Sequence, residues 1–265
     1  MAEELVLTEI DRRGVATVTL NRAEAHNALN GEVVGALMAA FDSLAARDDV
    51  RVVVLAGRGK SFSAGADLKG MRRVAEFSPA ENKADALRIA GLFDRLNTLP
   101  MPTIAKVQGS AFAGGVGLVA ACDIAVAAEH AQFAITEVRL GLIPAMISPY
   151  VVAAIGPGAA RRYCQTAERF HAREAKRIGL LHEVTTADGL DAAVEGIVGE
   201  ILKNAPAALA ACKALIRETA GPVTPALREE TASRIAAIRA SDEGREGLAA
   251  FVEKRKPSWV RAGGA

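Results

Sequence analysis

The stretch PTIAKVQGSAFAGGVGLVAACDIAVAAEHAQFAI, Pro102 to Ile135, decides the fold. It opens with an apolar strand, Pro102–Val107, passes through a Gly/Ala-rich loop and a short helix, and closes with strands at Ile124–Ala128 and Gln132–Ile135. These strands read as near-continuous apolar runs, the pattern of a sheet covered on both faces. Strand, loop, helix, strand in this order predicts an α/β protein. Towards the N-terminus the pattern repeats. Val50–Gly57 is a buried strand ending at glycine, followed by a helix over Asn82–Leu96. Before them, Leu5–Ile10 and Val15–Leu20 flank the turn Asp11–Gly14 and predict a hairpin. Asn30 offers an N-cap to an amphipathic helix over 31–46, with Val33, Val34, Leu37, Met38, Phe41 and Leu44 at helical spacing. From about Gly158 the pattern is mostly helical, with a short strand near Leu181–Val184. Helical periodicity covers 188–203, 206–219, 225–240 and 242–254.

The 265 residues are 51% hydrophobic and 24% charged, enough for one large core. A net charge of +1 argues against nucleic acid or an anionic membrane as the main partner. Three dispersed cysteines form neither a disulfide framework nor a zinc site. The acidic N-terminus is unlike a signal or transit peptide. The uncharged run from Leu140 to Ala160 is interrupted by Pro144, Pro149 and Pro157, which opposes a membrane helix. A cytoplasmic globular protein is expected.

Two loops carry the chemistry. Lys60–Leu68 and Gln108–Leu118 each follow a strand with small residues and lead into an expected helix N-terminus. Backbone N–H groups there lack intrahelical partners and can face an anion or a developing oxyanion. Glycines in either loop alone would equally serve close backbone packing. Gly115-x-Gly117-x-x-Ala120 matches a dinucleotide fingerprint, with Glu137 near the place of a ribose-binding acid. Its glycines start too far from the strand, and the helix is too short for a parallel crossover. His26, His130, His171 and His182 show no ligand spacing and read as surface residues. Glu137 is an isolated carboxylate in apolar sequence. Burial would raise its pKa and make it a general acid or base, whereas a partner in Arg139 would make it an ordinary ion pair.

Taken in order, six stretches resemble the crotonase (enoyl-CoA hydratase/isomerase) superfamily: Asn21–Leu29, Ser63–Leu68, Gly109–Asp123, Ala131–Pro144, Glu174–Leu180 and Phe251–Lys256. The resemblance implies a ClpP-like spiral of repeated ββα units over about residues 1–200. A helical C-terminal region over 201–265 would then serve assembly into a homotrimer or a dimer of trimers. It implies that the N–H groups of Ala66 and Gly114 form an oxyanion hole for an acyl-CoA thioester. Glu137 matches the residue that delivers a proton to the carbon beside the thioester. Glu24, Ala25, His26, Ala64, Asp67 and Leu68 correspond to the part that holds CoA, and Lys254 to a lysine that approaches its phosphates. Coenzyme A belongs to the substrate, and no metal or separate cofactor is implied.

The sequence departs from the family at Gly117, where hydratases carry a second glutamate. Hydration by Glu137 with an ordered water, replacement of the missing acid by another side chain, and proton shuttling by one carboxylate as in a double-bond isomerase all remain open. A catalytically silent CoA- or RNA-binding homologue is a further alternative, opposed by the even charge balance and by the retained Glu137. Gly114–Leu118, Ile147–Val151 and Thr166–Phe170 resemble the branch that hydrates branched glutaconyl-CoA esters. These include 3-methylglutaconyl-CoA in leucine breakdown and isohexenylglutaconyl-CoA in acyclic terpene breakdown. The leading expectation is an enoyl-CoA hydratase, a hydro-lyase of fatty acid or leucine metabolism.

Overall fold

The computed structural model describes residues 4–67, 70, 76–219 and 221–260. Strands β1 (Val6–Ile10) and β2 (Val15–Leu20) form the expected antiparallel hairpin. Its turn is held by the Asp11 carboxylate, which accepts from the N–H groups of Arg13 (2.8 Å) and Val15 (3.0 Å). Glycine is required at 14. Its φ is +85°, and a Cβ there would meet Asp49 O at 2.3 Å. The chain continues through β3 (Val52–Gly57), β4 (Ser61–Ser63), β5 (Thr103–Val107), β6 (Ser110–Phe112), β7 (Ile124–Ala128), β8 (Gln132–Ala134), β9 (Phe170–His171) and β10 (Glu183–Thr185).

These strands sort into two sheets. The larger has the order β1-β2-β3-β5-β7-β10, with every pairing after the hairpin parallel. The smaller has the order β4-β6-β8-β9, parallel except for the last pair. Successive strand pairs, β3/β4, β5/β6 and β7/β8, each give one strand to each sheet. This is the repeated ββα spiral expected from the sequence.

The helices are α1 (Gly31–Ala45), α2 (Pro79–Thr98), α3 (Gly114–Ala121), α4 (Ser148–Thr166), α5 (Ala172–Arg177), α6 (Leu190–Leu202), α7 (Pro206–Glu218), α8 (Pro225–Ala240) and α9 (Asp242–Val252). Leu37 and Phe41 of α1, Leu92, Phe93 and Leu96 of α2, and Leu118 of α3 share one core with Val18, Leu55, Phe62 and Phe133. The opposite face of the large sheet packs Val52, Val54, Ile104 and Val126 against Val194, Val198 and Ile201 of α6. Both faces are covered, which explains the uninterrupted apolar strands. Helix α7 is latched to this body by Lys213, buried, whose Nζ lies 2.7 Å from Asp123 Oδ2.

Several boundaries differ from the sequence expectation for local reasons. Helix α2 starts at Pro79 because Ser78 and Glu81 form a capping box ahead of the apolar periodicity. Helix α4 starts at Ser148, ten residues before the expected helical region. Pro149 sits in its first turn, where no N–H is needed. Gly156, at φ 70° and ψ 162°, kinks the segment just before Pro157, so the prolines bend and start this element without preventing it. The strand expected near Leu181–Val184 lies at Glu183–Thr185. Among the described residues no helix is long and apolar enough to cross a membrane.

Candidate active site

The two Gly/Ala-rich loops are not loops from end to end. Each contains a three-residue strand, β4 and β6, too short to show a period in the sequence. Those strands set the geometry that follows. In the small sheet Ser63 pairs with Ala111, and Ala66 and Gly114 each lie three residues further along their own chain segments. Parallel neighbours run about 4.8 Å apart, so equal offsets bring both peptide groups to one edge of the sheet. Next to them, Phe112 pairs with Ala134 of β8, and three residues beyond Ala134 stands Glu137. The two candidate donors and the candidate acid thus leave adjacent parallel strands at their C-terminal ends, where α/β sheets place ligands.

The donors are fixed but unspent. Leu29 donates to Gly65 O (2.7 Å) and Asp67 donates to Leu29 O (3.2 Å), so the peptide of Ala66 is bracketed by a short parallel bridge to Leu29. Neither Ala66 N–H nor Gly114 N–H has an acceptor among the described residues. Gly114 opens α3, and Ala113 before it holds φ 47° and ψ −116°. That conformation favours glycine and costs about 1–3 kcal/mol for a residue with a Cβ, strain of the kind found at functional turns. The loops touch closely. A Cβ on Gly65 would lie 2.6 Å from Phe112 O and 3.3 Å from Gly114 N.

Glu137 heads a 3-10 turn, Glu137–Leu140. It is half-buried, and its buried Oε2 has no hydrogen-bond partner. Desolvation by burial pushes its pKa above the ordinary carboxylate range, the backbone bonds at Glu137 and Thr136 opposing. The ion pair with Arg139 does not form, for the Arg139 guanidinium donates to Ala167 O at 2.8 Å. A carboxyl that is protonated more readily than usual, unpaired, at the edge where two bare amides emerge, is fit to give and take a proton.

The second-acid position is closed. A Cβ on Gly117 would meet Ile147 Cγ2 at 2.2 Å, Ile147 Cβ at 2.9 Å and Phe93 Cε1 at 2.9 Å. Ile147 and Phe93 are 3% and 1% exposed, so aliphatic and aromatic carbon fills the place of a side chain at 117. This fact was beyond the sequence, because Ile147 reaches Gly117 only through tertiary packing. The dinucleotide alternative fails as expected, since α3 lies between a strand of the small sheet and β7 of the large one.

Of the residues matched to CoA binding, the structure gathers five. Glu24 and Ala25 lie in the 3-10 turn Ala23–Ala25, and His26 follows at φ 51°. Ala64 donates to His26 O at 2.9 Å, and the His26 ring meets Ser61 Oγ at 3.1 Å. Asp67 is turned inward. Its Oδ2 is 2.6 Å from Arg22 Nη1, which also donates to Ala28 O. Arg22, unmarked in the sequence, therefore ties the turn to the loop that bears Ala66. Leu68 lies outside the described residues. Lys254 follows the end of α9, at φ 55°, and α9 packs on α7 and α8. His26, His130, His171 and His182 are all exposed. No group of three or more His, Cys, Asp or Glu suited to a metal is found among the described residues.

A spiral of ββα units with two bare amides and one acid at a common sheet edge defines a class, and the comparisons with known proteins give the same one. The sequence profile described as enoyl-CoA hydratase/isomerase matches residues 11–262. The short-chain-enoyl-CoA hydratase of Clostridium acetobutylicum is 34% identical over 245 residues, 91% of this chain and 92% of that protein. The crystal structure of an enoyl-CoA hydratase from Shewanella pealeana superposes with a TM-score of 0.94 at 41% identity, over 97% of this chain and 96% of that one. Pseudomonas aeruginosa AtuE gives 0.93 at 37% identity, over 97% and 100%. The chain belongs to the enoyl-CoA hydratase/isomerase family.

Proposed function

We propose that the protein adds water reversibly across the 2,3 double bond of an enoyl-CoA thioester. The observation that supports this reading is the register of β4, β6 and β8, adjacent strands from whose ends Ala66, Gly114 and Glu137 follow within two or three residues. The thioester oxygen accepts from the N–H groups of Ala66 and Gly114. As the water oxygen bonds to C3, its proton passes to the Glu137 carboxylate and the π electrons shift towards the thioester oxygen. The enolate collapses by taking a proton at C2 from the carboxyl of Glu137. The reverse reaction returns that proton to Glu137. Each donor contributes about 3–4 kcal/mol in the transition state, because the thioester oxygen gains charge there. The sequence needs no metal and no redox step.

CoA runs along Glu24–His26, Ala64 and Asp67, with Lys254 of the same or a neighbouring subunit near its phosphates. Leu248, Phe251 and Val252 at the helical end are exposed and support assembly into a trimer or a dimer of trimers through that region. The narrower substrate we infer is a branched glutaconyl-CoA such as 3-methylglutaconyl-CoA, on the resemblance of Gly114–Leu118, Ile147–Val151 and Thr166–Phe170.

A second reading is favoured by the closed position at Gly117, which leaves Glu137 without a second carboxylate at that position. One carboxylate suffices to move a double bond from C3 to C2. Incubation with 2-enoyl-CoA and 3-enoyl-CoA separates the two. Formation of a 3-hydroxyacyl product establishes the hydratase, and isomerisation without any such product rejects it in favour of the isomerase.

A further inference from the structure

The segment that carries Glu137 is a single 3-10 turn, Glu137–Leu140, and it buries none of its own side chains. Val138, Leu140, Leu142 and Ile143 are exposed, so the segment has no apolar anchor of its own. Its backbone bonds are local, from Arg139 N–H to Thr136 O, Gly141 N–H to Val138 O and Leu142 N–H to Glu137 O. Among the described residues, the hydrogen bond that leaves this turn for another element is that of Arg139, whose Nη2 donates to Ala167 O at 2.8 Å. Ala167 ends α4 in the left-handed region at φ 50°, fully buried, with its own N–H on Tyr163 O at 3.2 Å. Carbonyls at a helix end lack intrahelical partners, and a basic side chain is a fitting donor for them. Helix α4 also packs on α3, which opens at the oxyanion donor Gly114. The acid and one donor are therefore referred to the same helix.

We propose that Arg139 is a positioning residue: by binding Ala167 O it holds the turn of Glu137 against α4 and so sets where the carboxyl stands relative to Gly114 N–H. The inference rests on the reaction proposed above and adds to it a residue that acts through Glu137. Two residues from a carboxylate, an arginine would ordinarily serve as its ion-pair partner. Placing the guanidinium on Ala167 O prevents that and leaves Glu137 Oε2 without a hydrogen-bond partner. Cys164, three residues before Ala167, lies within electrostatic reach of Glu137. Burial first and the Glu137 charge second push its thiol pKa up, so it stays neutral beside the acid. The charged side chains on either side of Ala167, Arg162 and Glu168, pair with each other at 2.7 Å.

The test compares the full-length protein with Arg139→Ala and Arg139→Lys. In Arg139→Ala, kcat on a 2-enoyl-CoA should fall about tenfold with KM nearly unchanged, since the acid is misplaced while the thioester site stays. Arg139→Lys keeps a donor for Ala167 O and should recover most of the loss. A second readout needs no turnover. The gap in thermal stability at pH 8 between the parent and Glu137→Gln reports how far burial raises the Glu137 pKa. With Arg139→Ala in both proteins that gap should shrink, because a released turn lets water reach the carboxyl. If Arg139 acted by its charge alone, removing it would disfavour the carboxylate and widen the gap. A role confined to stability would lower Tm and leave kcat and the gap alone. An unchanged kcat in Arg139→Ala, a loss that Arg139→Lys does not recover, or a gap that widens or stays the same overturns the proposal. Absence of product from the unaltered protein counts against the proposed reaction instead, and the stability gap then decides the role of Arg139 by itself.

Discussion

Replacing Asp67 by alanine separates the positioning of the oxyanion loop from its chemistry. Asp67 Oδ2 sits 2.6 Å from Arg22 Nη1, with side chains 10% and 19% exposed, directly after Ala66. Breaking a fully buried pair costs about 3–5 kcal/mol, because the remaining charge is stranded. Exposed pairs are worth about 0–1 kcal/mol. Arg22 keeps its bond to Ala28 O and can reach water, so the loss falls between these limits, at about 2 kcal/mol. For a chain of this size that lowers Tm by roughly 4–8 °C. The Ala66 amide would keep its bridge to Leu29 but lose the outer clamp. Outright loss of an oxyanion donor costs about 10²–10³ in turnover, and a loosened one should cost about tenfold, in kcat more than in KM. Thermal unfolding and steady-state hydration of a 2-enoyl-CoA give both numbers. A Tm drop of that size with kcat unchanged would show that Asp67 braces the fold alone. No change in either would refute the clamp altogether.

Gly117→Glu should not create a second catalytic acid. It overpacks against Ile147 and buries a charge, at a cost of about 3 kcal/mol or more in urea unfolding, and pairing it with Ile147→Gly should recover a large part. A single variant as stable as the parent contradicts the close packing of Ile147 on Gly117. Lys213→Ala takes the cation from Asp123, which keeps the N–H and hydroxyl of Thr103 as donors, and should cost about 2 kcal/mol, with faster amide exchange in α7 than in β5; unaltered exchange there would show that the latch is idle. Burial raises the pKa of Glu137, so the folded state holds its proton to higher pH than the unfolded chain does. Its ionisation therefore lowers stability as pH rises through the folded-state value. Glu137→Gln should be more stable than the parent at pH 8, with the difference vanishing below the ordinary carboxylate range. A difference independent of pH contradicts that burial.

Most of the large sheet was legible because β1, β2, β3, β5 and β7 are runs of five or six residues rich in apolar and β-branched side chains, and helix α1 announced itself by its period and its Asn30 cap, α6 by its period. Of the small sheet the sequence showed β8 alone, expected at Gln132–Ile135 and found at Gln132–Ala134. Strands such as Ser61–Ser63 and Ser110–Phe112 are stabilised by pairing across the spiral, and three residues carry no pattern. Glu137 stood out as a charge among apolar neighbours, and the glycines marked the donor loop. Arg22 did not stand out, since one arginine in a polar turn looks like any surface residue until Asp67 is folded beside it. Ile147 was equally silent, for its contact with Gly117 joins residues thirty positions apart.

The central claim is that two main-chain amides hold the thioester while one half-buried carboxyl moves the proton. Turnover of a 2-enoyl-CoA by Glu137→Gln tests it most directly, since the amide keeps the shape and cannot titrate. Turnover should fall by about 10²-fold or more while affinity for a saturated acyl-CoA is retained. Turnover equal to that of the parent would contradict the account.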